Sequence, residues 1–248
     1  MPVNIAIAPI MIVILAALRA ATGDAECSTP AESVTPDESV TPDQGSTPLH
    51  LAVVEGDADA VGELLAVSDT DVDAEDQHGI TPLRLAVEMG HMHQVAQLLE
   101  AKAVVDKHWR GGTALHAAAA LGDAAMAAAL LAGGASVVGK DSDGVSALHL
   151  AANNGHSEAA QALCAHGGST ALEQAERSGR TPLHLAAQAG HASMCRALCA
   201  CGANVDTTDG SGRTALHLAA FASHVDAVQA LLGPPCGAAF LRSTLSGS

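Results

Sequence analysis

The chain is almost devoid of aromatic residues. Among 248 residues it has no Tyr, two Phe and one Trp, although 48% of the residues are hydrophobic. A core without aromatics must be built from Ala, Leu and Val, which pack helices closely, so an all-α fold is favoured over an all-β sandwich. The scarcity of aromatics also disfavours proteins that stack nucleobases on aromatic side chains.

Basic residues are scarce as well. The 11 Lys and Arg stand against 27 Asp and Glu, which gives a formal net charge of −16. Such a balance disfavours nonspecific attraction of the whole molecule to nucleic acid or to an anionic membrane surface. We therefore expect no nucleic-acid partner.

An apolar segment occupies residues 1–23. Its run from Val3 to Leu18 is short for a membrane span, which needs about 20 apolar residues, and its length is typical of a signal-peptide core. No Lys or Arg precedes the run, however. A cleaved signal peptide, a retained membrane anchor and a segment that is neither remain three open interpretations.

Residues 24–44 form an acidic stretch rich in Thr and Pro. It holds six acidic and no basic residues, and the hexad 33–38 is echoed by 39–44. Because so polar a segment cannot bury enough apolar surface to offset its ordering entropy, we predict a disordered linker. Phosphorylation at Thr29, Thr35 or Thr41, each followed by Pro, stays open.

One short phrase occurs six times after Gln44. It begins with Thr or Ser, has Leu in third place and, in all copies but one, His in fourth place. The copies begin at Thr47, Thr81, Thr113, Ser146, Thr181 and Thr214. The steps are 34, 32, 33, 35 and 33 residues. This period and the fullest copy, residues 179–191, resemble the ankyrin repeat.

The resemblance implies an all-α solenoid of about six helix-turn-helix repeats with finger loops, over residues 45–233. The residues agree locally, since a Thr or Ser hydroxyl caps a helix and Pro suits the first helical position. One repeat buries too little to stand alone, so neighbouring repeats must stack into a continuous core. Such a plan has no closed catalytic cleft, and we predict neither an enzyme nor a cofactor.

Most His and Cys residues are interpreted as structural. Nine of the 13 His fall at two fixed positions of the repeat, where the resemblance implies hydrogen bonds between loop and helix. Arg84 replaces one of them and puts that bond in doubt. Cys164 and Cys199 lie at helix positions typical of buried thiols, and a disulfide framework fits the spacing poorly. Cys195, Cys199 and Cys201 lack a fourth ligand for zinc, so no metal is predicted.

The resemblance also implies that a partner protein binds at the finger loops and at the inner face of the first helices. The candidates in or beside the fingers are Lys107, Trp109, Arg110, Lys140, Arg177, Arg180 and Arg213. Those on the inner face are Met89, Asn153, Asn154, Gln188 and Phe221. We expect Trp109 to anchor a partner and the basic residues to attract an acidic surface. The alternatives are ordinary solvated loop charges and a Trp109 ring folded onto a neighbouring finger.

The function predicted is that of a protein-interaction module or adaptor acting as a monomeric solenoid. The open alternatives are a membrane-tethered or secreted scaffold and a regulatory subunit of an enzyme complex. Family resemblance and free cysteines favour the cytoplasm, whereas the apolar N-terminal run favours the secretory route or a membrane. In the tail, residues 234–248, we predict that Phe240 and Leu241 cover the apolar end of repeat six.

Overall fold

The structure is a computed structural model that describes residues 46–109 and 111–236, and these residues form twelve α-helices and no β-strand. The predicted N-terminal segment, the acidic linker, Arg110 and the predicted Phe240 and Leu241 cap lie outside the described residues. The helices are α1 (Pro48–Glu55), α2 (Ala58–Leu65), α3 (Pro82–Glu88), α4 (Met92–Glu100), α5 (Ala114–Leu121), α6 (Ala124–Ala132), α7 (Ala147–Asn154), α8 (Ser157–Leu172), α9 (Pro182–Ala189), α10 (Ala192–Ala200), α11 (Ala215–Phe221) and α12 (Val225–Leu232).

The helices form six pairs, one for each copy of the repeated phrase. Each odd-numbered helix packs on the next odd-numbered helix, and each even-numbered helix packs on the next even-numbered one. Two layers result, an inner layer of odd-numbered helices and an outer layer of even-numbered ones. The prediction of an all-α solenoid with six repeats is confirmed.

The inner helices begin where the Thr and Ser residues of the phrase lie. In five repeats the hydroxyl of this residue and the imidazole of the His three residues later form a reciprocal capping box. Pro48, Pro82 and Pro182 occupy the first helical turn, where a missing N–H leaves no helical bond unmade. Local residues therefore decide where each inner helix starts.

The core lies between the two layers and consists of Leu with small neighbours. Leu83, Leu115 and Leu148, at the third position of the phrase, are fully buried, and Ala118 and Ala151 beside them are completely enclosed. Small side chains allow the helices to approach closely, which replaces the volume that aromatic residues supply in other cores. The shortage of aromatics is thus compatible with a continuous core.

Four finger loops close around an acidic side chain that the sequence analysis missed. Asp76, Asp141 and Asp209 each accept two backbone N–H groups of their own loop, and Glu176 stands at the same position. The N–H of Arg213, then the Arg213 guanidinium and then the N–H of Ser211 lower the pKa of Asp209 to about 2. The signal was present, since each acidic residue lies five positions before the Thr or Ser of the next repeat.

Each finger is numbered after the repeat that it precedes. Fingers five and six, the loops before Thr181 and Thr214, touch through glycine, which leads to a prediction. A Cβ on Gly179 would lie 2.5 Å from the Gly210 nitrogen at a φ of +79°, whereas one on Gly212, at a φ of +75°, meets no atom within 4 Å. We expect Gly179→Ala to lower the free energy of unfolding by about 2–3 kcal/mol and Gly212→Ala by about 1 kcal/mol, because only the first adds overpacking to backbone strain. Urea denaturation of both variants measures this. Equal losses would contradict the close approach.

The cysteines depart from the prediction at one position. Cys164 is buried as expected, but Cys199 is joined to Cys236 by a disulfide instead of being a core thiol. After α12 the chain turns at residues 233–235, and Cys236 packs back against α10, where its sulfur lies 3.7 Å from the Cys195 carbonyl. The interpretation of Cys199 as a buried core thiol is therefore wrong, and one disulfide forms although a disulfide framework fitted the spacing poorly. Spacing in the sequence cannot reveal a contact that depends on the chain turning back after the last repeat.

Candidate protein-binding surface

The His residues at the fourth position of the phrase join each repeat to the next. Each Nδ1 lies beside the Thr or Ser that starts its own helix, and each Nε2–H donates to the carbonyl just before the next repeat. The bonds join His50 to Ile80, His116 to Val145, His149 to Arg180 and His184 to Arg213, at 2.9, 3.2, 3.1 and 3.0 Å. These rings therefore hold the finger loops in place. His217, in the last repeat, is exposed, and among the described residues its hydrogen bonds join only its own Thr214.

Burial favours the neutral form of three of these rings. It lowers the pKa of His149 to about 4 and also lowers the pKa values of His116 and His184. The geometry requires the neutral form as well, because Nδ1 of His149 accepts the backbone N–H of Ser146 at 3.2 Å. A proton on Nδ1 would face the N–H of Ser146, so that two donors would point at each other. These His residues therefore have a structural role.

Arg84 replaces His in this series and makes an equivalent bond. Its Nη1 donates to the carbonyls of Gly112 and Thr113, at 2.9 and 3.3 Å, and its Nε donates to Glu88 at 2.8 Å. Gly112 precedes repeat three, as the acceptors of the His rings precede theirs. The doubt about this bond is resolved, since a longer side chain spans a finger that is one residue shorter.

Trp109 lies over Arg84 and is not a free anchor. The Arg84 guanidinium carbon is 4.9 Å from the centre of the indole ring, and the indole N–H donates to the His78 carbonyl in finger two. Backbone bonds to Gly112 in both directions tighten the loop that carries the ring. The half-buried ring thus folds onto a neighbouring finger, which is the alternative that the sequence left open.

Four of the described basic finger residues form ion pairs within the chain. Lys107 pairs with Glu75 at 3.1 Å, Arg177 with Asp143 at 3.1 Å, Arg180 with Glu176 at 2.5 Å and Arg213 with Asp209 at 2.8 Å, while Lys140 donates to the Ala175 carbonyl at 2.9 Å. Such pairs neutralise the charges that were expected to form a basic edge. An ion pair as exposed as that of Arg177 with Asp143 contributes about 0–1 kcal/mol to the free energy of unfolding, so a charged group of another protein can replace either residue in it.

A second series of His residues fixes the inner face. These rings begin the outer helices and donate back to carbonyls near the ends of inner helices in the preceding repeat. They join His91 to Val53, His156 to Ala120, His191 to Asn153 and His224 to Gln188, at 3.0 to 3.1 Å. These bonds therefore tie the inner helices of repeats one, three, four and five to the outer helix of the repeat that follows each of them.

The inner face of repeats three to six presents uncharged side chains. At the ends of inner helices α5 and α11, Leu121 is 55% exposed and Phe221 is 88% exposed. Between them lie Asn153, Asn154 and Gln188, which are all exposed. The predicted candidate Met89, in repeat two, is half-buried.

The polar residues of this face are already oriented. Asn154 donates to the Ala120 carbonyl at 3.0 Å and accepts from Asn153 at 3.2 Å. Gln188 accepts from Arg180 at 2.9 Å. Their remaining amide groups point to no partner among the described residues and can meet a bound chain.

Neither a metal site nor a membrane span is found in the described part of the chain. Over residues 46–109 and 111–236, no three His, Cys, Asp or Glu side chains lie close enough to share an ion. No helix within the same ranges is long and apolar enough to cross a bilayer.

The sequence and the fold match ankyrin repeats. The family described as ankyrin repeats in three copies matches residues 27–108, 93–173 and 169–241. No curated protein matches the chain.

Among solved structures, the ankyrin repeat domain of Bcl-3, a unique member of the IkappaB protein family, is 33% identical, with a TM-score of 0.71 over 76% of this chain and 86% of that one. An ankyrin repeat domain from Acinetobacter baumannii is 28% identical, with a TM-score of 0.68 over 75% and 96%. The ankyrin repeat protein EF0377 is 25% identical, with a TM-score of 0.69 over 74% and 96%. Ankyrin repeats are generally modules that bind other proteins, and this chain belongs to the ankyrin repeat family.

Proposed function

We propose that the chain binds a partner protein along the inner face of repeats three to six and performs no chemistry of its own. The observation that carries the proposal is the exposure of Phe221 and Leu121 at the ends of inner helices. His156 holds the Ala120 carbonyl near the end of the Leu121 helix, and His184 holds the Arg213 carbonyl just before the Phe221 helix. Large apolar side chains in a fixed position bind with little loss of conformational freedom.

The charge pattern supports this location. At the last two inner-face positions, repeats one and two carry Glu55 and Glu88, whereas repeats three to six carry no charged residue. Four successive repeats without charge at these positions are unexpected in a chain of net charge −16. The centres of protein interfaces are likewise depleted of charged residues. The partner therefore presents apolar and amide-binding groups to this face.

The finger residues form the rim of the proposed surface. Three basic residues can exchange an internal acidic partner for one on the bound protein: Lys107, Arg177 and Arg213. Lys140 would lose only its hydrogen bond to the Ala175 carbonyl. Rim charges of this kind act mainly on the rate of association and on its salt dependence. Trp109 belongs to this rim and offers only the part of its ring that Arg84 leaves uncovered. Arg110, the other predicted candidate of this finger, lies outside the described residues.

Serine substitution of the two apolar residues tests the proposal. Proximity labelling with the full chain identifies proteins near the surface, and titration calorimetry then measures the affinity of the enriched protein. We expect Phe221→Ser and Leu121→Ser each to weaken binding about tenfold, because each removes a large exposed apolar contact from the proposed surface.

Val104→Ser is the matched control. Val104 is 51% exposed but lies in the loop after an outer helix, away from the inner face. Its substitution should leave the affinity unchanged. Equal weakening by Val104→Ser, or full affinity in the Phe221 and Leu121 variants, would place the binding surface elsewhere.

A further inference from the structure

The last described repeat has an end face that no further described repeat covers. In repeat five, Leu183 is 2% exposed and His184 is 1% exposed, and helix α9 packs against α11 of repeat six. At the same positions of repeat six, Leu216 is half-buried and His217 is exposed. We call Leu216 and His217, with the half-buried Thr214 before them, the end face. It lacks the cover that repeat six gives to repeat five.

The end face contains an unused hydrogen-bond donor. Nδ1 of His217 accepts the backbone N–H of Thr214 at 3.2 Å, so the proton of the neutral ring lies on Nε2. In repeat five, the corresponding Nε2–H of His184 donates to the Arg213 carbonyl at 3.0 Å. Among the described residues, no acceptor meets Nε2 of His217. The register of the repeats therefore requires a carbonyl from a segment after residue 236.

The chain that leaves repeat six is held in the register of the earlier repeats as far as Cys236. Cys236 lies 22 residues after Thr214, as Ala203 lies 22 residues after Thr181. Both side chains are buried, Ala203 at 5% and Cys236 at 0% exposure. The disulfide with Cys199 fixes this point to outer helix α10 of repeat five. The segment after Cys236 thus begins where the earlier finger loops begin.

This segment repeats the start of the phrase. Residues 242–245 read Arg-Ser-Thr-Leu, compared with Arg-Thr-Ala-Leu at 213–216 and Arg-Thr-Pro-Leu at 180–183. We call residues 242–245 the tail phrase. Its Arg has the position of the two Arg residues whose carbonyls accept from His149 and His184. The tail phrase therefore offers the acceptor that the end face lacks.

The shorter connection to the tail phrase corresponds to a finger without its turn. Seven residues separate Cys236 from Ser243, whereas eleven separate Ala203 from Thr214. The missing four match the turn 209–212, which the N–H of Asp209 closes by donating to the Arg213 carbonyl at 2.8 Å. On either side of this turn the chain already lies together, because residues 208 and 214 form an antiparallel bridge. A chain without the turn can therefore pass directly from one arm to the other.

We propose that the tail phrase covers the end face of repeat six. The Arg242 carbonyl accepts from Nε2–H of His217, and Leu245 packs against Leu216. The proposal extends the expected cover by Phe240 and Leu241 to the residues that follow them. Because the tail phrase comes without a finger turn, the His217 ring stays open to solvent on its other side.

The proposed cover leaves the partner-binding surface free. Leu216 is the second residue of α11 and Phe221 is its last, so they lie at opposite ends of the helix. A stacked repeat needs an apolar neighbour on each side, and a short segment of the same chain supplies it here without a seventh helix pair. The test of the cover is therefore independent of partner binding.

Nuclear Overhauser effects in the full chain test the contact directly. We expect a cross-peak between the methyl groups of Leu216 and Leu245 in a uniformly labelled sample. A mixture of differently labelled chains, recorded with an isotope filter, should show no such peak between chains. The contact then lies within one molecule.

Thermal unfolding of full-chain variants tests the contribution of Leu245. Leu245→Ser should lower the Tm by about 3–6 °C, because it removes an apolar side chain from the end face. In a Leu216→Ala background the same change should lower the Tm much less, since its contact is already lost. Val67→Ser is the control, because Val67 is 56% exposed in the loop after α2 and its substitution should leave the Tm unchanged.

Three results would overturn the proposal. The first is the lack of a cross-peak between Leu216 and Leu245. The second is a cross-peak found only between differently labelled chains, which would show that a second copy covers the end face. The third is a Tm of Leu245→Ser equal to that of Val67→Ser.

Discussion

Replacing Arg84 by Ala is expected to lower the free energy of unfolding by about 3–5 kcal/mol, the range found when one partner of a buried ion pair is removed. The change leaves Glu88 almost buried without its cation and deprives the carbonyls of Gly112 and Thr113 of their donor. It also removes the group beneath the Trp109 ring. Trp109 is the only Trp in the chain, so its fluorescence reports this site during urea denaturation.

The matched control transfers the residues of repeat five into repeat two. His184 and Gln188 stand where Arg84 and Glu88 stand, so the double variant Arg84→His with Glu88→Gln carries no unpaired charge. We expect this variant to lose about 1–2 kcal/mol, because the shorter imidazole reaches the Gly112 carbonyl less well. An Arg84→Ala variant as stable as the double variant would show that the ion pair and its carbonyl bonds contribute little.

Acidification is expected to destabilise the fold between about pH 6.5 and pH 4. An unfolded His binds a proton near pH 6.5, whereas burial lowers the pKa of His149 to about 4 in the folded chain. Within that window the unfolded state holds more protons, so stability is complete above it and falls as the pH falls. His149 alone contributes about 3 kcal/mol by this linkage, and the lowered pKa values of His116 and His184 act in the same direction.

Denaturation curves at several pH values measure this effect. Glu176 and Lys140 act on the charge of His149 in opposite directions, so burial decides the sign. His149→Gln should lower stability at pH 7.5 and flatten its dependence on pH. His217→Gln changes the exposed ring at the same position of repeat six and should leave the pH dependence unaltered. A parent stability that does not change from pH 7 to pH 5 would contradict neutral buried rings.

The architecture could be predicted from the sequence because its determinants are local. Thr and Ser caps, Pro at the first helical turn and a recurring Leu lie within a few residues of the helices that they define. Six copies of one phrase then made the stacking of six repeats predictable. The positions of the inner-face residues followed from the same register.

The state of the candidate site residues depended on contacts between repeats. Trp109 meets a carbonyl 31 residues away, Arg177 meets one 35 residues away, and Cys199 meets a sulfur 37 residues away. The sequence placed each residue in its finger or helix but did not specify which neighbour it would contact. Those pairings are decided when stacking brings adjacent loops within hydrogen-bonding distance.

What the sequence by itself determined is the identity of the repeat, its helices and the face that points inward, since capping and periodicity act over short stretches of chain. Only the tertiary structure decided that Arg84 continues the inter-repeat bonds, that Trp109 covers it and that four basic finger residues are internally paired. These outcomes depend on distances of a few ångströms between segments about one repeat apart. Side-chain length and loop length decide them jointly, as the short third finger and the long Arg84 side chain illustrate.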